Sequence, residues 1–268
     1  LSRFEMGNGI VLMNGKQHFR PHVQGESLEN KINQLGDEVF EALLPSMVTF
    51  AASVFIWMIY LGFLPVSLLS AVFMTILLVV FSVRAFVKIR KLNRQIKNHR
   101  KGLDGERYVG TKLERLSSNS TFVFHDVVCG KFNIDHVIIS TKGIFTIDTK
   151  NWALPDRDYN KADFIFKDGE LIDSTGVLQS DLMHKIESQG RWLEGKINEW
   201  TKKRYPVYRV GIMIGAYVNN INKDFSKYWI INDGAFAGFF DKEREKFLLN
   251  DVLRIADSLQ RFIEKPIA

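Results

Sequence analysis

The sequence has a single cysteine and lacks a recognisable export signal. Cys129 cannot form an internal disulfide, because no second cysteine exists among the 268 residues. A chain without disulfides fits a reducing compartment, and we expect Cys129 to be a small buried strand residue rather than a nucleophile. No basic start is followed directly by an apolar core and a small-residue cleavage site, so we expect no secretory signal.

Charge is absent from residues 42–83. As one helix, with a rise of about 1.5 Å per residue, this run would reach roughly twice the hydrocarbon thickness of a bilayer. Gly62 and Pro65 lie in its middle and favour a break. The run therefore predicts two transmembrane helices, at about 43–61 and 66–86, joined by a short turn. The alternative is a buried helical hairpin of a soluble protein.

Acidic residues are absent from the segment that follows, residues 84–101, which contains eight Lys and Arg residues. The rest of the chain has 28 basic and 30 acidic residues, so this segment accounts for the net charge of +6. The positive-inside rule then predicts that both flanks of the hairpin are cytoplasmic. Binding of anionic lipid heads or of a phosphate backbone are two further interpretations. Apolar residues among the charges predict a short helix that ends near Gly102.

Two runs rich in β-branched and aromatic residues flank Thr141 and Lys142, which predicts a β-hairpin. In that hairpin Asp135 lies opposite Asp148, and Lys150 shares their face because side chains alternate along a strand. Two carboxylates and an ammonium group suit a divalent metal and an activated water. The alternative is a surface hairpin in which the carboxylates merely pair with lysine. Apolar residues on both faces favour a covered sheet, in which buried charges need a partner such as a metal.

The order of these motifs resembles a known family. An Asp followed by a second strand that ends in Asp-x-Lys is similar to the PD-(D/E)xK nuclease superfamily. Within that superfamily, the residues of these motifs resemble those of the NERD (nuclease-related) domain, over roughly residues 102–220. The matching motifs are residues 105–110 (GERYVG), 133–137 (NIDHV), 143–145 (GIF) and 147–152 (IDTKNW).

The resemblance implies an α/β fold with a restriction-endonuclease-like mixed sheet flanked by helices, here preceded by the two-helix transmembrane hairpin. It also implies metal-dependent hydrolysis of phosphodiester bonds. Asp135 and Asp148 would hold Mg²⁺, with Mn²⁺ as an alternative, aided by the main-chain carbonyl of Thr149. Lys150 would position the attacking water or help to deprotonate it. DNA is the expected substrate, and RNA is the second candidate.

Two further residues enter the expected catalytic set through the resemblance. Glu106 would lie close to the metal, whereas the residues alone equally explain it as a helix-terminal Glu favoured by the macrodipole. Gln189 lies on a predicted amphipathic helix and is the best-placed glutamine, although the family's usual Asn-Pro lead-in is missing. Its alternative is an ordinary surface glutamine. His136 points away from Asp135 by strand alternation, so we expect it to be structural.

The chain is expected to have five parts and to act at a membrane. We expect a membrane-anchored, Mg²⁺-dependent endonuclease that defends against or processes foreign DNA. It would be a multi-pass protein of the bacterial inner (cytoplasmic) membrane with both termini in the cytoplasm. Its partners would be DNA or RNA, the lipid bilayer, and a second copy or a larger complex. The alternative is a catalytically inactive membrane scaffold that binds nucleic acid or a partner protein.

The five expected parts of the chain are an N-terminal cytoplasmic segment (1–41), the two transmembrane helices (42–87), a basic juxtamembrane linker (88–101), the NERD nuclease-like domain (102–220) and a C-terminal extension that packs on it (221–268).

Overall fold

A computed structural model of the chain describes seven ranges of residues. Two of them, 10–13 and 16–19, are described as backbone, where β1 (Ile10–Met13) pairs antiparallel with β2 (Lys16–Phe19). The others are 24–62, 67–130, 132–152, 163–222 and 225–264. Parts of the predicted N-terminal segment, most of the predicted turn after Gly62, and residues 265–268 lie outside the described residues. The chain divides into two compact units, one of Ser27–Leu103 and one of Leu1–Glu26 with Asp104–Ala268.

Two long helices account for the unit Ser27–Leu103. The first, α1 (Glu26–Gly62), ends at the predicted break, and α2 (Leu68–Glu114) begins after it. Both helices are long and apolar enough to cross a membrane. Within this unit, Trp57 Nε1 donates a hydrogen bond to Thr75 Oγ1 at 3.1 Å and so joins the two helices.

The predicted helix end near Gly102 is wrong, because α2 continues without interruption to Glu114. A glycine inside a helix costs only about 1 kcal/mol relative to alanine, so it is a weak stop signal. Beyond it, Val109 and Leu113 are both 2% exposed and pack against the sheet. Burial of these two side chains outweighs the cost of the glycine.

The unit that contains Asp104–Ala268 has an α/β fold. Strands alternate with helices along the chain after α2. In order, these elements are β3 (Thr121–Val128), β4 (Asn133–Ser140), β5 (Gly143–Asn151), β6 (Phe164–Lys167), β7 (Glu170–Asp173), α3 (Ser180–Thr201), β8 (Val207–Ile214), β9 (Val218–Asn220), β10 (Tyr228–Asn232), α4 (Phe236–Lys242) and α5 (Leu249–Ile263).

The main sheet is mixed, with five strands in the order β10-β8-β5-β4-β3. β3, β4 and β5 form an antiparallel meander, whereas β8 and β10 run parallel to β5. β10 lies within the predicted C-terminal extension, so part of that extension lengthens the sheet. A smaller sheet has the order β7-β6-β9. The mixed sheet flanked by helices confirms the predicted fold class.

Helices cover both faces of the main sheet. α3 and α5 lie on the face that carries Val137, Ile139 and Ile144, and together they form one apolar core. α2 and α4 cover the opposite face, on which Ile138 and Phe145 lie. Side chains of β4 and β5 are therefore buried on both faces, as their apolar composition predicts.

The central hairpin has the predicted turn. Ser140 pairs with Gly143 across Thr141 and Lys142, and the described pairs continue outward to His136 and Ile147. One step further along the same register, Asp135 falls opposite Asp148. The predicted register is therefore confirmed for the described pairs, which end one residue before Asp135 and Asp148.

Candidate active site

The charged residues of the hairpin lie where β4 begins and β5 ends. Asp148 is completely buried and Asp135 is 7% exposed. β5 is the central strand of the sheet, so Asp148 has β4 on one side and β8 on the other. Two carboxylates this deeply buried require compensating charge or hydrogen bonds.

Thr149 and Lys150 contact these carboxylates directly. The backbone N–H of Thr149 donates to Asp135 Oδ2 at 2.7 Å, which fixes that carboxylate against β5. Lys150 Nζ lies 3.2 Å from Asp148 Oδ2 without forming a hydrogen bond. The predicted convergence of two carboxylates and one lysine is therefore present in the geometry.

A second lysine, Lys185 of α3, contacts both carboxylates and was missed by the sequence analysis. Its Nζ pairs with Asp148 Oδ1 and lies 3.7 Å from Asp135 Oδ1. Burial opposes its positive charge, but the two neighbouring carboxylates outweigh that effect and raise the pKa of Lys185 above its ordinary value. The available signal was its spacing, since a residue four positions before Gln189 lies one helical turn away on the same face.

A glycine in β8 explains how α3 comes so close to the sheet. Gly211 pairs with Asp148 across β5 and β8. A Cβ atom on Gly211 would lie 3.0 Å from Cδ1 of Ile186. Because Ile186 packs tightly against this bare backbone, the neighbouring Lys185 is held beside Asp148.

Gln189 is an interior residue, not the surface glutamine of the alternative interpretation, since it is 1% exposed. Its Nε2 donates to the backbone carbonyl of Asn133 at 2.9 Å and makes a longer contact of 3.5 Å with Asp148 Oδ1. Its Oε1 is buried without a hydrogen-bond partner. Gln189 therefore links α3 to the beginning of β4, and its Oε1 is an oxygen atom of the site that accepts no hydrogen bond.

Glu106 reaches the site because α2 approaches the ends of β5 and β8 at a glycine. A Cβ atom on Gly105 would lie 2.9 Å from both Asn151 Cβ and Ile214 Cδ1. Burial, followed by repulsion from Asp135 and Asp126, raises the pKa of Glu106 to about 9. The helix-terminal explanation of Glu106 is wrong, because α2 begins far upstream at Leu68.

Asp126 is a further acid near the site that the sequence analysis missed. It is 4% exposed and has a left-handed backbone with φ of 48°, a conformation that non-glycine residues rarely adopt. Asn133 Nδ2 donates to Asp126 Oδ1 at 3.1 Å. Asp126 belongs to none of the sequence motifs.

The accumulated negative charge also affects Asp135. Burial, followed by repulsion from Asp148, raises the pKa of Asp135 to about 7. Asp126, Asp135 and Asp148 also each repel the negative charge of Glu106 and raise its pKa. The described structure balances them with Lys150 and Lys185.

Comparison with known protein families identifies this region. Residues 101–214 match the family model of NERD, the nuclease-related domain. These residues form a NERD domain. The match confirms the resemblance and with it a restriction-endonuclease-like fold. Neither the curated proteins nor the solved structures that were compared include a match to this chain.

The oxygen atoms at the candidate site of the NERD domain decide which metal ion it could hold. Within the described ranges, no three His, Cys, Asp or Glu side chains are arranged as a metal centre. The site offers two carboxylates, with Asp148 Oδ2 and Gln189 Oε1 buried and lacking hydrogen bonds. Mg²⁺ takes oxygen ligands, uses one or two carboxylates in many sites and keeps several waters. The oxygen donors present therefore fit Mg²⁺, and the Thr149 carbonyl stays a predicted ligand.

On the other face of the sheet, the NERD domain contains a row of polar side chains in which both histidines are fully buried. His125 Nδ1 and His136 Nδ1 are 2.7 Å apart, and His125 Nε2 lies 2.6 Å from Glu114 Oε1. Burial and the neighbouring His125 lower the pKa of His136 well below its ordinary value. His136 thus packs away from the carboxylates, in agreement with the structural role expected for it.

Proposed function

We propose that this chain is a membrane-anchored, metal-dependent endonuclease that hydrolyses phosphodiester bonds, with DNA as the favoured substrate. One observation carries the proposal. In a NERD domain, the buried carboxylates of Asp135 and Asp148 share one face of the sheet with Lys150 beside them. Buried acids held together in this way are costly unless a cation joins them, and the family's fold is that of nucleases.

Each side chain has a distinct role in the proposed reaction. Asp135 and Asp148 would hold Mg²⁺, and the Thr149 N–H keeps Asp135 oriented. Lys150 donates to the attacking water and orients it towards the phosphorus. Glu106 lies near the same acids, and it would accept a proton from that water or from a second one only once bound Mg²⁺ has lowered its pKa from about 9. When bound, Mg²⁺ supplies charge for the phosphate and the leaving oxygen and makes the water more acidic.

The proposed anchoring rests on the exposed apolar surface of α1 and α2. In the most apolar stretches of the two helices, only 6% and 11% of the residues are buried. The core helices of a soluble protein are mostly buried, so this exposure favours a bilayer over the soluble hairpin. We propose that both helices cross the inner membrane and that the basic segment 84–101 faces the cytoplasm. Cleavage would then occur near the envelope, for example on incoming foreign DNA.

The test is cleavage of circular DNA, linear DNA and RNA by the full chain in detergent, with Mg²⁺, Mn²⁺ or EDTA. Asp148→Asn and Lys150→Ala are the informative variants. Asp241→Asn is the matched control, because Asp241 lies on α4 with a side chain that is 72% exposed. We expect metal-dependent cleavage to fall by roughly a hundredfold or more in both variants and to persist in the control.

A different pattern would support the scaffold instead. If the wild type binds nucleic acid or a partner protein but cleaves no substrate with any metal, the chain is a catalytically inactive member of the family. Substrate choice follows from the same assay, because preferential cleavage of RNA would replace DNA in the proposal.

A further inference from the structure

Lys185 occupies the space between the two carboxylates that the proposed function assigns to a metal. Its Nζ pairs with Asp148 Oδ1 and lies 3.7 Å from Asp135 Oδ1. Lys150, the lysine of the motif, approaches the other oxygen of Asp148, Oδ2. The two lysines are therefore not equivalent, since Lys185 takes the bridging position.

A divalent cation and the Lys185 ammonium group cannot both occupy the position between the two carboxylates. Mg²⁺ binds oxygen at about 2.0–2.1 Å, and a positive ammonium group in contact with the same carboxylates would repel it. One of the two cations must therefore leave when the other binds. The carboxylates need one of them, because Asp148 is completely buried.

Lys185 has the freedom to leave. Its side chain is 37% exposed, whereas Asp148 has no exposure at all. A lysine has a long flexible stem and a strongly hydrated ammonium group, so it can move into water without unfolding α3. The neighbouring Ile186 keeps the helix on the sheet while the lysine moves.

We propose that Lys185 is a built-in competitor for the metal, which bridges Asp135 and Asp148 when no divalent cation is bound and moves to solvent when one enters. This inference rests on the proposed function in one respect, namely that a divalent cation binds these two carboxylates. Lys185 then stabilises the metal-free protein and lowers its metal affinity. The metal concentration at which the site fills is set partly by this residue.

The experiment measures Mn²⁺ binding to the full chain in detergent, from the electron paramagnetic resonance signal of free Mn²⁺. Lys185→Met keeps an apolar stem and removes the charge, and Lys185→Arg keeps the charge. Lys196→Met is the matched control, because Lys196 lies on the same helix and pairs with Glu199 at 2.9 Å. Asp148→Asn reports whether the Mn²⁺ signal comes from this site.

We expect Lys185→Met to bind Mn²⁺ about tenfold more tightly than the wild type, because the competing charge is gone. Lys185→Arg and Lys196→Met should bind as the wild type does. Without metal, Lys185→Met should unfold at a lower temperature than the wild type, and Mn²⁺ should raise its midpoint by more. Mn²⁺ binding to Lys185→Met but not to the wild type would support the proposal in its strongest form.

Two outcomes would overturn it. If the wild type binds Mn²⁺ and Lys185→Met binds it equally or less tightly, the competition is wrong while the proposed nuclease stands. If neither protein binds Mn²⁺, both the competition and the metal-dependent mechanism are wrong. Binding and cleavage are measured separately, so the failure of the inference is distinguishable from that of the proposed function.

Discussion

Individual side chains determine the character of the candidate site. Asp148 is enclosed by strands on either side, and its two oxygens are approached by lysines from different elements, Lys150 from β5 and Lys185 from α3. A buried carboxylate with two cationic neighbours is held in one orientation. Gln189 completes this arrangement through the carbonyl of Asn133. The Asp148 carboxylate is therefore held in place in the metal-free protein.

Replacing Gln189 with leucine should destabilise the unit that contains Asp104–Ala268. The change leaves the partly buried Asn133 carbonyl without the donor that lies 2.9 Å away. Loss of a partner costs about 1–3 kcal/mol for a fully buried polar group, and we expect less here. Thermal or chemical unfolding of the full chain in detergent measures this as a lower midpoint. Gln179→Leu is the control, and an equal loss in both variants would contradict a special role for Gln189.

At the scale of elements, glycines determine which helices reach the site. α2 approaches β5 and β8 at Gly105, and α3 approaches β8 at Gly211. Each contact brings a functional candidate, Glu106 or Lys185, towards the two aspartates. The sequence marks Gly105 through its motif, whereas nothing in the sequence distinguishes Gly211 from other strand glycines.

Gly105→Ala should reduce cleavage more than it reduces stability. The new methyl group would lie 2.9 Å from Asn151 and Ile214 side-chain atoms, so α2 must shift and take Glu106 with it. A shift of this kind near reacting groups costs roughly a hundredfold in rate. The control is Gly195→Ala on α3, where a Cβ meets nothing within 4 Å. That control should keep full activity and gain up to about 1 kcal/mol of stability. If both variants cleaved equally well, the position of Glu106 would have no role in the mechanism.

α3 is also clamped to β8 by an ion network centred on Glu187. Arg209, which is 4% exposed, donates from Nε to Glu187 Oε2 at 3.1 Å, and Tyr228 Oη donates to the same oxygen at 2.6 Å. Burial alone would raise the pKa of Glu187. Hydrogen bonds from Tyr228, Arg191 and Lys227, with the charge of Arg209, outweigh burial and lower the pKa of Glu187 to about 2.

This lowered pKa makes a prediction about stability and pH. A carboxyl whose pKa is lower in the folded state stabilises the protein above its unfolded pKa, which is about 4.3 for Glu. That contribution is lost as the pH falls from about 4.3 towards 2. Glu187→Gln should therefore unfold more readily than the wild type at pH 7, with a difference that shrinks below about pH 4.3. Thermal midpoints from pH 7 to pH 2.5 measure it, and a constant difference would contradict the assignment.

On the scale of the whole molecule, the chain combines two long apolar helices with a NERD domain. Large apolar side chains remain exposed along both helices, from Phe40 on α1 to Val87 on α2. An aqueous environment would make this surface prone to aggregation, whereas a bilayer would cover it. The proposed anchoring places this surface in contact with lipid. The positive charge of segment 84–101 predicts the orientation of the two helices.

Cysteine labelling in cells tests that orientation. In a Cys129→Ser background, Ser67→Cys at the start of α2 should react with a membrane-impermeant maleimide from outside. Asn98→Cys, in the basic segment, should react only after the membrane is permeabilised. Both positions are exposed. The reverse pattern would contradict the orientation, and labelling of both only after permeabilisation would contradict spanning.

Local patterns in the sequence were sufficient for much of the fold. Alternation of side chains and turn chemistry gave the register of β4 and β5, because pairing across a tight turn depends on neighbouring residues. The helix break after Gly62 follows from similar local signals. The predicted break at Gly102 failed, since burial of distant residues outweighed a local preference.

Three features were therefore predictable from the sequence, namely the apolar run, the basic segment, and the hairpin that brings Asp135, Asp148 and Lys150 together. Each of these depends on residues that are close in the chain. The bridging of the two aspartates by Lys185, and the left-handed conformation of the nearby Asp126, are visible only in the folded chain. Packing of α3 on the sheet creates the Lys185 contacts, and this packing depends on the contact of Ile186 with Gly211, which no sequence periodicity indicates. Charges separated by tens of residues meet because the core between them excludes water and fixes their positions.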